Sequence, residues 1–143
     1  MRARMKRLVL FSLLTFALAG CRGPKGSPDS SVKSFYSAVV AEDWDAMVDT
    51  VSEESLKRIG SRAKAAAVFA RDFGGWKDVE ITIDDAVIDA TGDKATVRFE
   101  CISTQLQNYK PKQYDCSDTF ALAKEADGKW HIHLPGGARL RPM

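Results

Sequence analysis

The chain has 143 residues, 45% hydrophobic and 28% charged, with a formal net charge of +2. That length suits one domain with its own core rather than two. The positive sign does not point to nucleic acid. Arg2, Arg4, Lys6 and Arg7 precede any acidic residue, and without them 17 basic residues face 19 acidic ones, a net charge of −2.

These four charges open the chain, and residues 8–19, LVLFSLLTFALA, follow without a charge. A basic start and an apolar run of this length read as an export signal. The run is shorter than the ~20 apolar residues needed to span a bilayer. It ends in Leu18-Ala19-Gly20-Cys21, which resembles the bacterial lipobox. The resemblance implies a diacylglyceryl group on the Cys21 sulfur, cleavage before Cys21, and attachment to a lipid bilayer. Two or more acyl chains hold a protein stably at a membrane, where one holds it only marginally. The alternative is ordinary secretory cleavage after Ala17-Leu18-Ala19, with the cysteine incidental. Arg22 follows the cysteine where an aspartate would signal retention at the inner membrane, so in a host with two membranes the expected location is the outer membrane, facing the periplasm.

The expected organisation is a signal peptide over 1–20, a lipidated tether over 21–28, a folded domain over 29–135 and a tail over 136–143. The tether RGPKGSP carries only Gly, Pro, Ser and charge after Cys21. Pro28 suits the first turn of a helix, with Ser27 as N-cap. Val32, Phe35, Tyr36, Val39 and Val40 then form one apolar stripe ending near Glu42. Asp43 can cap a short second helix with Trp44, Met47, Val48 and Val51 inward. Ser52 can cap a third, with Leu56, Ile59, Ala63, Ala66, Ala70 and Phe73 on one face and a possible break at Gly60. Gly74-Gly75 ends it.

After Trp76 the period changes to two. Val79, Ile81 and Ile83 alternate with polar residues, and at Asp85 the parity slips to Ala86, Ile88 and Ala90, as a bulge would make it. Thr91-Gly92-Asp93 turns the chain. Ala95, Val97, Phe99 and Cys101 face inward on the next strand, and Thr104 to Gln113 read as a long connection. Cys116, Asp118, Phe120 and Leu122 then share a face. A three-residue loop, Ala126-Asp127-Gly128, pairs Leu122 with Ile132 and Phe120 with Leu134, keeping the apolar side chains together. The expected class is α+β: three helices, then four antiparallel strands.

Ser27-Pro28, Val32-Lys33-Ser34-Phe35-Tyr36-Ser37-Ala38, Glu42-Asp43-Trp44-Asp45-Ala46, Gly92-Asp93-Lys94-Ala95-Thr96-Val97 and Asp127-Gly128-Lys129-Trp130-His131-Ile132 together resemble nuclear transport factor 2-like (cystatin-like) domains. The resemblance spans about residues 27–134 and implies a cone, with helices packed on a curved four-stranded antiparallel sheet and a pocket between them. It implies little about activity, because that fold carries cyclases, isomerases, hydrolases and binding domains alike.

The candidate pocket residues are Tyr36, Trp44, Trp76, Phe99 and Asp118. An inward Asp118 could serve as a general base, or sit hydrated at the rim or paired with Arg98. His131 and His133 share a strand face opposite Trp130 and Ile132, an arrangement expected to face solvent rather than hold a metal. Neither a catalytic residue nor a cofactor is assigned. The expected function is a membrane-anchored, non-enzymatic domain that binds a small ligand or an envelope protein. The alternative is a small enzyme using an inward carboxylate. Cys101 and Cys116 are expected to form a disulfide. One register places them opposite each other and also sets Val97 against Phe120 and Ala95 against Leu122. Export supplies the oxidising compartment, and two buried free thiols are the alternative.

Overall fold

The computed structural model describes residues 26–136, so the expected export signal, Cys21 and most of the expected tether and tail lie outside the described residues. Helix α1 (Pro28–Ala41) starts behind Ser27, whose side chain makes no cap bond, and ends at Glu42 in the left-handed conformation. Asp43 caps α2 (Trp44–Asp49) by accepting from the Ala46 N–H, and Ser52 caps α3 (Glu53–Ile59) by accepting from the Ser55 N–H.

The expected third helix is two helices. Gly60, at φ 128°, stops α3, and Ser61 caps α4 (Arg62–Phe73) through the Lys64 N–H. The break resets the helical phase. Ala65, Phe69 and Phe73 therefore face the core, while Ala63 is exposed and Ala66 and Ala70 are half-buried.

Five strands follow: β1 (Trp76–Ile88), β2 (Lys94–Gln107), β3 (Lys110–Asp115), β4 (Asp118–Lys124) and β5 (Trp130–His133). They make one antiparallel sheet in the order β1-β2-β4-β5, with β3 also paired to β2. The segment expected to be a connection is thus the end of β2 and all of β3. Asn108 and Tyr109, at φ 51° and 62°, form a two-residue turn between them. The register slips between Ile83 and Asp85, where the parity change placed a bulge. Beyond it Ala86, Ile88 and Ala90 stay exposed.

Pairing between β2 and β4 sets Ala95 against Leu122, Val97 against Phe120 and Phe99 against Asp118. One step further, Cys101 and Cys116 are joined by a disulfide, 4.7 Å apart at Cα. The last hairpin pairs Leu122 with Ile132 around the expected Ala126-Asp127-Gly128 loop, with Gly128 at φ 75°. Leu134 is buried but falls past the end of β5, so it does not enter the ladder with Phe120. The edge of β5 is closed by the segment after α2: the Ile132 N–H donates to the Thr50 carbonyl at 2.7 Å, and the Ser52 N–H donates to the Ile132 carbonyl at 2.9 Å.

The helices cover the inner face of the sheet. Phe35, Phe69, Phe99, Met47, Ile132, Val32, Val39, Val48 and Val97 are fully buried between the two layers. Each large side chain contributes roughly 1.5–3 kcal/mol by leaving water.

Candidate functional site

The interior of the cone is where a pocket was expected, and aromatic side chains fill it. Tyr36 stacks on Phe120 at 6.2 Å and on Trp76 at 6.3 Å, and meets Phe99 edge-on at 5.7 Å. Behind it, Phe35 meets Phe69, Phe73 and Phe120 edge-on at 5.7–6.2 Å. Tyr36, Trp76 and Phe99 come together, packed against one another. The sequence signal for Tyr36 and Phe99 was the apolar stripe or inward parity of each on its helix or strand, which does not distinguish a pocket wall from a filled core.

Two candidate pocket residues lie elsewhere. Trp44 is half-buried on α2 and lines a separate groove with Ala66, Ala67 and Ala70 of α4. Asp118 has the inward parity opposite Phe99, yet it opens β4 at the margin of the helical cover and is exposed. Its Oδ1 accepts from the Thr119 N–H at 2.7 Å. Arg98 lies 3.8 Å from Asp84, not on Asp118.

The Tyr36 phenol carries the clearest electrostatic perturbation near this space. Burial raises its pKa above the ordinary tyrosine value, and the Asp118 carboxylate raises it further. The hydroxyl is therefore firmly protonated at neutral pH and able to donate. Tyr36 also lines a cleft of about 440 Å³ between α1 and β1, with Lys33, Ser37, Val40, Asp78, Val79 and Ile81. The helical spacing of Lys33, Tyr36, Ser37 and Val40 puts them on one stripe beside the core stripe. From β1, Val79 and Ile81 supply a half-buried apolar floor. The cleft combines apolar surface, one phenol, one hydroxyl, an ammonium and a carboxylate, a mixture that suits a small amphipathic ligand.

A second cleft, about 460 Å³, lies toward the other end of the sheet, between Glu54, Asp89, Lys94, Thr96 and His133. His133 stands 3.8 Å from Glu54 and 3.5 Å from the Arg58 guanidinium. His131 corrects the expectation of a solvent-facing histidine pair. It is 8% exposed, with Nε2 2.8 Å from Asp127 Oδ2 and 3.8 Å from Glu125. The hairpin turn folds its own carboxylates over the ring, which alternation along the strand could not reveal. Among the described residues no cluster of three or more His, Cys, Asp or Glu could hold a metal ion.

Sequence reasoning also missed a buried polar knot. Ser55 Oγ accepts from the Leu134 N–H at 2.9 Å and from Ser52 Oγ at 2.9 Å, and Arg58 reaches both Ser55 and the Leu134 carbonyl. It fastens the end of β5 to α3. The only signal for it was a second serine three residues after the capping one.

No family model matches the chain, and no curated protein does either. Solved structures do. One is a ketosteroid isomerase-like protein from Erwinia carotovora atroseptica, 17% identical over 73% of this chain and 87% of that one, with a TM-score of 0.57. Another is a nuclear transport factor 2-like protein of unknown function from Shewanella oneidensis, 15% identical over 73% of this chain and 93% of that one, with a TM-score of 0.54. At such identities the likeness concerns the path of the backbone. The four helices, the curved antiparallel sheet and these neighbours together establish that the chain has the nuclear transport factor 2-like fold.

Proposed function

We propose that this chain is a bacterial envelope lipoprotein, held by lipid on Cys21, whose domain binds a small amphipathic ligand in the α1–β1 cleft without transforming it. The observation that carries the binding reading is the aromatic packing of Tyr36, Trp76, Phe99 and Phe120, which occupies the interior and leaves ligand space at the surface. The anchoring reading rests on the basic start, the apolar run and Leu18-Ala19-Gly20-Cys21. The outer membrane, facing the periplasm, is the proposed site, on the strength of Arg22. An envelope protein as partner is compatible with the same surface, but the cleft's size and mixed lining favour a small molecule.

Two measurements test this. Fractionation and mass spectrometry should find the protein in membranes, acylated at Cys21, and Cys21→Ser should release or misprocess it. An unmodified soluble chain starting elsewhere would defeat the anchoring. Ligand screening by thermal shift should give hits that Val79→Asp removes, because a carboxylate replaces part of the apolar floor.

One observation favours the enzyme reading: the phenol of Tyr36 and the carboxylate of Asp118 feel each other electrostatically. If a turnover is found, Asp118→Asn with the fold intact should abolish it. If that variant changes only affinity or stability, the binding reading stands.

A further inference from the structure

The tether and the β2–β3 hairpin leave the domain at opposite ends. A Cβ on Gly26 would meet the Gly128 carbonyl oxygen at 3.6 Å, and Ser31 Oγ donates to the Trp130 carbonyl at 2.8 Å, so the chain enters beside the β4–β5 turn. The β1–β2 turn shares that end, since the Lys124 N–H donates to the Asp93 carbonyl at 2.8 Å. From there β2 runs 14 residues to Gln107. At ~3.3 Å per residue β2 measures about 45 Å along its path, so its far tip lies at the end of the sheet opposite Gly26.

The tip has an unusual turn. Asn108 and Tyr109 both adopt the left-handed conformation. Asparagine tolerates it, but at Tyr109 the bulky side chain is disfavoured and glycine would be the ordinary residue. Tyr109 is 98% exposed, so no packing within the domain compensates. Such an outlier points to use of the side chain by something else. Below the tip, cross-strand pairing puts Gln107 with Lys110 and Gln105 with Lys112 on one face. Tyr114 joins them, its hydroxyl donating to Gln107 Oε1 at 3.0 Å. No acidic residue occurs between Thr104 and Tyr114.

We propose that this hairpin docks on a carboxylate-bearing amino-sugar polymer, the chemistry of bacterial peptidoglycan. An exposed aromatic ring suits the face of a sugar, the glutamine amides suit hydroxyl and acetamido groups, and the two ammonium groups suit carboxylates. The proposal rests on the envelope reading, because it places the lipid at one end of the molecule and the polymer at the other. Binding in solution tests the hairpin alone, whereas fractionation tests the anchor, so the two can fail separately.

The experiment is co-sedimentation of the full-length protein, in detergent, with purified peptidoglycan sacculi. Wild type should pellet saturably. Tyr109→Gly and the Lys110→Gln/Lys112→Gln pair should each weaken retention by roughly tenfold or more. Tyr109→Gly should do so with an unchanged or higher melting temperature, which separates docking from folding. Chitin, a related sugar without carboxylates, and polyglutamate, carboxylates without sugar, should each compete poorly. Absence of pelleting, retention unaffected by the variants, or full competition by either polymer would overturn the proposal. Competition by polyglutamate alone would identify an acidic protein as the partner instead.

Discussion

The ring of Phe35 meets the ring of Phe120 edge-on at 5.7 Å, joining the first helix to the fourth strand at the centre of the molecule. Phe35 is 1% exposed and also touches Tyr36, Phe69 and Phe73. Phe35→Ala should therefore cost about 3–5 kcal/mol, measured by urea denaturation at constant m-value. A loss under about 1 kcal/mol would mean that the neighbouring rings collapse into the space and that the aromatic cluster is not a rigid unit.

The disulfide between Cys101 and Cys116 spans a sequence separation of 15. Closing a loop of that length stabilises by about 3 kcal/mol in the chain-entropy model. The Cys101→Ala/Cys116→Ala double variant should lose stability on that scale. Amide exchange in residues 102–115 should accelerate more than in β4 and β5. Peptide mapping of the protein without reductant should recover the linked peptides. Two alkylatable thiols would refute the bond.

Much of this sheet was legible because two independent constraints coincided. Inward parity on β2 and β4 and the two cysteines demanded the same register, and Gly128 marked a loop length that kept Leu122 opposite Ile132. The β2–β3 hairpin was not legible, since its turn is Asn108-Tyr109 without glycine and both its faces are largely polar beyond Ser103. Period-two reasoning needs one dry face to read. The phase of α4 was lost for a related reason. With five alanines among Ala63, Ala65, Ala66, Ala67 and Ala70, small residues lie on several faces, and only the break at Gly60 decides which is buried. The site suffered most, because the inward placement of Tyr36 and Phe99 did not say whether space remained between them.

Ser55 offers a sharper test of hidden polar structure. Its hydroxyl receives the Leu134 N–H inside the protein. Ser55→Ala leaves that donor buried and unpaired, which should cost about 1–3 kcal/mol. Ser52→Ala also removes the α3 cap, so the pair of variants should combine non-additively. A double-mutant cycle showing simple additivity would mean that the two serines act separately.

Three turn carboxylates predict behaviour in acid. The Thr91 hydroxyl lowers the pKa of Asp89, the Ser117 hydroxyl lowers that of Asp115, and the Lys129 N–H, followed by His131, lowers that of Asp127. A folded-state pKa below the unfolded value stabilises above the unfolded value, about 3.9, and the gain is lost as pH falls through the lower folded value. Melting temperature should accordingly hold near pH 5 and decline below about pH 4. The gap between wild type and Asp127→Asn should narrow across that decline. A gap constant down to pH 2 would show that the carboxylate charge is not responsible.

The order of residues along β3 also bears on self-association. Among the described residues β3 pairs only with β2, so its other side is an open edge. At high local concentration an open strand is a template for edge-to-edge polymerisation of identical copies. Lys110, Pro111 and Lys112 occupy that edge in succession. Pro111 pairs with Leu106 one step from the two-residue turn, so its missing N–H is one that would have faced outward. The lysines on either side repel their counterparts on a second molecule. Crowded together, the chains would stay separate, each with its hairpin available.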